Sequence, residues 1–264
     1  MIEVTQGSLP IVLGIPHSGT EVPVDIFETF SDTGRALAET DWHIDRLYNG
    51  LGMDLSVIQT PIHRYVLDVD HAPETSKTFP WLSASGLFPL TDREGAAIYR
   101  ENAAPDAAEM AARIERYHLP YHDAISVEMQ RLKELHGTAL LFDCHSIGSF
   151  NPQDVLHDFP TFNIWTNLSK SCTPSMERSV LTRCYAAQDY DTALSPGTSG
   201  GWSVLKHGRP ARNLHAMRLE LAQRSYMDEV PPWHWRADKA ERLRSVLYRV
   251  LNDLVELLNE RSQW

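Results

Sequence analysis

The sequence predicts an α/β fold in which helices cover both faces of a predominantly parallel sheet. Three observations lead there. Helix-length amphipathic segments alternate along the chain with short apolar runs rich in β-branched residues. The 264 residues are 42% hydrophobic, which suits one sizeable core better than two equal halves. Near the end, Leu243, Leu247, Val250, Leu254 and Leu257 trace the apolar stripe of a long helix that packs into that core.

In chain order, IVLGIPHSG opens as a buried strand that leaves into a loop at Pro16 and Gly19. Beyond it Ile44, Leu47, Tyr48 and Leu51 recur at helical spacing, with Thr40 or Asp41 as the cap and Gly50 and Gly52 as the stop. LSVIQTP and HRYVLDVD read as strands, and alternation puts Arg64, Val66, Asp68 and Asp70 on one face of the second. Residues 71–95, rich in Pro, Ser, Thr and Gly, read as a long loop or flap. A helix over about 105–118 is broken by Pro120, and a second over about 121–135 turns Ile125, Met129, Leu132 and Leu135 to one side. TALLFDCHS is a central strand, PTFNIWTN and LHAMRLELA are further strands, and DTALSPGTSGGWSVLKHG is a Gly-rich loop or hairpin. With no repeat or linker, residues 1–264 read as a single domain.

Composition narrows the function. The net charge of −11 and the lack of a basic run disfavour nucleic acid. Cys144, Cys172 and Cys184 have no CxxC spacing, so neither a disulfide framework nor a thiolate zinc site is expected. MIEVTQGSLP lacks a basic start, and no later segment is apolar enough to span a bilayer. The expectation is a cytoplasmic protein without nucleic-acid or membrane partners.

Open α/β sheets bind ligands beyond the carboxyl ends of their strands, where His17 and His145 fall. Asp41 or Asp45 adds a carboxylate, and two neutral imidazoles with one carboxylate are a frequent ligand set of hydrolytic zinc. Asp41 reads equally as a helix cap, and Asp45 as part of a solvated helix face. Hydrolysis at such a centre needs a proton acceptor. Alternation puts Arg218 and Glu220 on one face of LHAMRLELA, where Glu220 is either that base or Arg218's ion-pair partner. Arg64 either holds a substrate carboxylate bidentately or pairs with Asp68. Cys144 and His145 face opposite sides of their strand and form no dyad. GTSGG, at 197–201, matches GxSxG, with Asp228 and His234 following, but it lacks the strand and helix context of a nucleophile elbow. It reads instead as backbone brought close to a ligand or as a tight hairpin.

PHSG, TDWHIDRLY, HRYVLDVD, PYH, FDCHSIGS and HAMRLELAQRSYM together resemble, in family order, the N-formylglutamate amidohydrolase family. The resemblance implies a three-layer α/β/α fold with a mixed, mainly parallel sheet, akin to zinc carboxypeptidases. It also implies cleavage of an N-formyl amino acid in amino-acid catabolism. Carried over, His17, Asp41 and His145 hold one zinc ion, Asp45 substitutes for Asp41, and Glu220 is the base. Arg64, Asp68, His71, Ser199, Gly200 and Arg218 become the substrate-binding candidates, with Arg64 or Arg218 also stabilising an oxyanion. The chain departs from the family where Asp70 and His71 replace an Asn-Arg pair, and where Gly197, Ser199 and Leu205 replace a segment that carries cations. Arg218 stands where Gln is usual. A hydrolytic centre acting on an altered N-formyl or N-acyl amino acid is therefore expected. The alternatives are a metal-dependent peptidase or cell-wall amidase, and a non-catalytic binding protein on the same fold.

Overall fold

The computed structural model describes residues 1–73, 86–150, 158–195 and 201–261. Among these described residues seven strands form one sheet: β1 (Glu3–Thr5), β2 (Ile11–Ile15), β3 (Ser56–Gln59), β4 (Ala139–Ile147), β5 (Phe162–Trp165), β6 (Thr192–Leu194) and β7 (Leu214–Ala222). Their spatial order is β1-β3-β2-β4-β7-β5-β6. The pairs β2·β3, β2·β4, β4·β7 and β5·β6 are parallel, while β1·β3 and β5·β7 are antiparallel. The sheet is thus mixed and mainly parallel, and its central strands β2 and β4 are buried along their whole length.

Alternation sorts the strand residues into two cores. Ile11, Leu13, Phe142, Cys144 and Leu219 face the helices Pro174–Ala186 and Ala237–Arg261. Val12, Leu141 and Ala216 face the helix Leu119–His136. That second face also carries Asp143, His145, Arg218 and Glu220, which lie at the same parity on paired strands. From β2 the chain passes to β3 on one side and then crosses to β4 on the other. The reversal opens a crevice beyond the carboxyl ends of β2 and β4.

Several segments differ from expectation. HRYVLDVD is a succession of turns, with Val66 and Leu67 both buried. Its polar side chains take the role of a strand ladder: the His63 ring accepts the Tyr65 N–H, and the Asp68 carboxylate accepts the Asp70 N–H. Helix Ile44–Asn49 starts at His43, in left-handed backbone with no side-chain cap, so neither Thr40 nor Asp41 caps it; Gly50 ends it as expected. Pro120 does not break the helical run. Helix Ala107–Arg113 passes through a wide π turn, Ile114–His118, into Leu119–His136, and that wider turn gives the proline ring room. Ile125, Met129 and Leu132 are buried, but Leu135 is exposed because the helix outruns its apolar face. The segment expected as a loop or hairpin supplies β6 and the helix Trp202–His207, and residues 196–200 lie outside the described residues. Of the expected flap at 71–95, residues 74–85 also lie outside them. The helix Pro174–Ala186 was not expected, although Thr173 before Pro174 is a start signal.

Buried histidines make the fold acid-sensitive. Burial lowers His63 and His207 from 6.5 to about 3, and it also lowers His118 and His122. The unfolded chain therefore binds more protons than the folded one below pH 6.5. Each such ring contributes stability that is complete above that pH and falls by up to about 1.4 kcal/mol per pH unit below it. Burial raises Asp41 and Asp143 to about 7, which works in the opposite direction, but the lowered histidines outnumber them. Urea unfolding of the metal-free protein is expected to show a midpoint that drops steadily from pH 6.5 to pH 5. A flat midpoint over that range would contradict neutral buried rings.

Candidate metal centre

Two of the three expected ligands leave the sheet side by side. His17 follows β2, and His145 lies near the end of β4. Gly19 lets the loop after His17 press against Pro61, whose backbone a Cβ at that position would overlap. Asp41 is held to both strands: its N–H donates to the His17 carbonyl at 2.9 Å, and its Oδ2 accepts the Ser146 N–H at 2.9 Å. The His17 and His145 Nδ1 atoms are 3.1 Å apart, and Asp41 Oδ2 lies 3.8 Å from each. All three residues are buried. Asp45, on the first turn of helix Ile44–Asn49, is not among the clustered groups.

Each ring is oriented from behind by a carboxylate. His17 Nε2 lies 2.7 Å from Asp68 Oδ1, and His145 Nε2 lies 2.8 Å from Asp143 Oδ2. With an Nε2–H donated to each, both Nδ1 lone pairs face Asp41 Oδ2. Three acceptors then converge, with Arg218 Nη2 at their edge 3.0 Å from His145 Nδ1, and a divalent cation between His17, His145 and Asp41 satisfies them. Two nitrogens about 2.1 Å from one tetrahedral ion lie about 3.4 Å apart, close to the observed separation. Burial lowers His17 to about 3 and the Arg64 charge adds to this; burial followed by Arg218 holds His145 well below its ordinary value. Both rings are therefore neutral at pH 7, the form that coordinates.

A second cluster of Asp70, Asp143 and His145 also has ligand spacing, but Arg218 fills it. Arg218 Nη2 is 2.6 Å from Asp70 Oδ2 and lies against the His145 ring, 2.9 Å from Nε2 and 3.0 Å from Nδ1, so a guanidinium already supplies the positive charge. Gly201 lets the Asp70 carboxylate reach Ser203 N–H at the start of helix Trp202–His207, since a Cβ would overlap it.

Among the remaining candidates, Glu220 is half-buried and sits directly across from His145 in the β4·β7 register. Its charge acts on Asp41, Asp143 and Arg218, which places it at the edge of the centre. Arg64 pairs with Asp68 at 2.6 Å and not along a strand face. His71 Nδ1 lies 3.4 Å from Asp68 Oδ2; burial opposes protonation there, but the Asp68 charge prevails and raises the ring. Ser199 and Gly200 lie outside the described residues. Sequence reading missed Asp143 as His145's partner, although period-two alternation puts residues two apart on one face. It also missed the backbone contacts of His118 and His122, which sit 2.8 Å from the carbonyls of His71 and Val69 and brace the loop bearing Asp68 and Asp70. Beside Asp41 and Ser146 opens a cavity of about 390 Å³. Among the described residues, no helix is long and apolar enough to cross a membrane.

Comparison with known proteins fits this geometry. The family described as N-formylglutamate amidohydrolase matches residues 9–227. The chain is 37% identical over 257 residues to an N-formylglutamate deformylase of Pseudomonas aeruginosa, across 97% of this chain and 96% of that one. It is 34% identical over 259 residues to another from Pseudomonas putida, across 98% and 97%. The crystal structure of N-formylglutamate amidohydrolase from Ralstonia eutropha JMP134 superposes with a TM-score of 0.81 at 19% identity, covering 98% of each chain. On the strength of the match over residues 9–227 and the full-length relatives, the chain belongs to the N-formylglutamate amidohydrolase family.

Proposed function

We propose that the protein is a zinc-dependent amidohydrolase that cleaves the amide of a small N-formyl or N-acyl amino acid. The observation that carries this reading is the facing pair of His17 and His145 Nδ1 atoms, 3.1 Å apart beside Asp41. The names of its relatives, N-formylglutamate deformylases, support the reaction class. A divalent ion held by His17, Asp41 and His145 would polarise the acyl oxygen and acidify water.

The chain's own groups do the rest. Glu220, across from His145, accepts the proton of the attacking water and delivers it to the leaving nitrogen. Arg218, against the His145 ring, faces the negative charge that develops on the acyl oxygen. Asp68 and Asp143 keep the two rings in the tautomer that presents Nδ1. Arg64 and Arg218 are each ion-paired, with Asp68 and Asp70, so neither approaches a substrate carboxylate as an uncompensated charge.

The reading is tested by loading the purified protein with zinc and assaying formate and amine release from N-formyl and N-acyl amino acids. Turnover with any of them supports it, whereas bound metal without turnover favours a binding protein. A positioning prediction accompanies it. Asp68→Asn keeps the shape but weakens the hold on His17, and is expected to lower metal affinity about 10–100-fold in chelator competition. Unchanged affinity would remove Asp68 from that role.

A further inference from the structure

The cavity beside Asp41 has a charge that bears on what it accepts. Glu39, Asp92, Glu94 and Glu229 line it together with Asp41, and among the described lining residues Arg93 is the one cation. Arg93 is paired with Glu39: its Nε lies 3.7 Å from Glu39 Oε1, an oxygen that the Arg93 backbone N–H holds in place at 2.9 Å. The bonds that fix Asp92 and Glu229 come from neutral donors. Asp92 Oδ1 accepts the N–H groups of Glu94 and Ala96; Glu229 Oε1 accepts those of Ser149 and Arg224, and the Ser149 hydroxyl. These donors orient the carboxylates without cancelling their charge. With Asp41 assigned to the metal and Arg93 to Glu39, the walls keep the negative charge of Asp92, Glu94 and Glu229.

The walls are also aromatic. Trp233 stacks on Trp42 at 4.7 Å and 16°, and its backbone is held in the left-handed region at φ 54. The His43 ring lies 2.8 Å from its carbonyl, so this wall is fixed in place. Phe150 stands at the mouth, largely exposed. Aromatic faces beside carboxylates attract cations through the ring quadrupole as well as through net charge. A dicarboxylate would enter the same space against three negative charges and leave its own unpartnered.

Resting on the amidohydrolase reading, we infer that the substrate carries a positively charged group near the scissile amide and that this cavity receives it. The substrate class is an N-formyl or N-acyl derivative of a basic amino acid. Asp92, Glu94 and Glu229 select the charge, and Trp233 with Phe150 encloses the aliphatic stem.

The test compares N-formyl-L-lysine, N-formyl-L-norleucine and N-formyl-L-glutamate on the zinc-loaded protein, because norleucine keeps the lysine stem without the ammonium. Partly screened attraction to three carboxylates is expected to raise kcat/KM for the lysine compound about tenfold over norleucine, with glutamate lower still. Calorimetry with free lysine and free norleucine reads the same preference without turnover. Glu94→Lys is expected to reduce the lysine-to-glutamate ratio at least about tenfold by replacing attraction with repulsion. A preference for the glutamate or norleucine compound in turnover overturns the inference and leaves the amidohydrolase reading standing, as does free lysine binding no tighter than free norleucine when any compound is turned over. Absence of turnover on every compound, with metal bound and free lysine no tighter than norleucine, overturns both.

Discussion

Glu220→Gln is expected to fold normally, bind its metal and lose about 10²–10⁴-fold in kcat, because the amide keeps the shape of the carboxylate but cannot accept a proton. The size of that loss separates two roles. Glu220 shares its strand face with Arg218, and its negative charge acts on that guanidinium. If it served only as Arg218's charge partner, the substitution would cost a few-fold in kcat and a modest amount of stability. As the proton acceptor, its removal acts on the chemical step, so kcat falls while KM changes little. The pH profile gives a second readout, since the limb that reports deprotonation of the base should disappear from the residual activity. Near-native turnover with zinc bound would transfer the role to another group.

His145→Ala is expected to abolish turnover and to weaken metal binding by more than about a hundredfold, since loss of a ligand exceeds the effect of losing the group that orients one. The ring also fills a buried site between Asp143, Arg218 and His17. Its removal leaves Asp143 buried without its imidazole partner, so thermal unfolding must be measured alongside metal content. His145→Gln, which restores bulk and a polar atom, separates the two effects: a folded protein without metal supports the ligand role. Retention of a full metal complement by either variant would exclude it.

The sequence shows the sheet well because strands between helices are announced by composition. β2 and the first half of β4 are apolar runs, β7 alternates apolar with charged residues, and the terminal helix declares itself by its leucine stripe. Less legible were segments whose hydrogen bonds are made by side chains. HRYVLDVD alternates like a strand, yet Asp68 and His63 satisfy its backbone within a chain of turns, a choice that depends on partners distant in sequence. The same cause hid the second half of the site. Asp68 orients His17 across 51 residues, and Arg218 meets Asp70 across 148, so no local pattern records either contact. The convergence of His17 with His145 was readable for a different reason: both fall at the carboxyl ends of apolar strands, β2 and β4, which pair in the sheet. The family resemblance favours Asp41 over Asp45, where the residues alone also allow Asp41 as a helix cap. In the structure its carboxylate is held by the Ser146 N–H beside both rings.

Anomalous diffraction from zinc-soaked crystals at the zinc edge tests directly for a divalent ion between His17, His145 and Asp41. The expected result is a single strong peak within bonding distance of both Nδ1 atoms and an Asp41 oxygen. No peak there, or a peak seated at Asp70 and Asp143 in place of the Arg218 guanidinium, would contradict it.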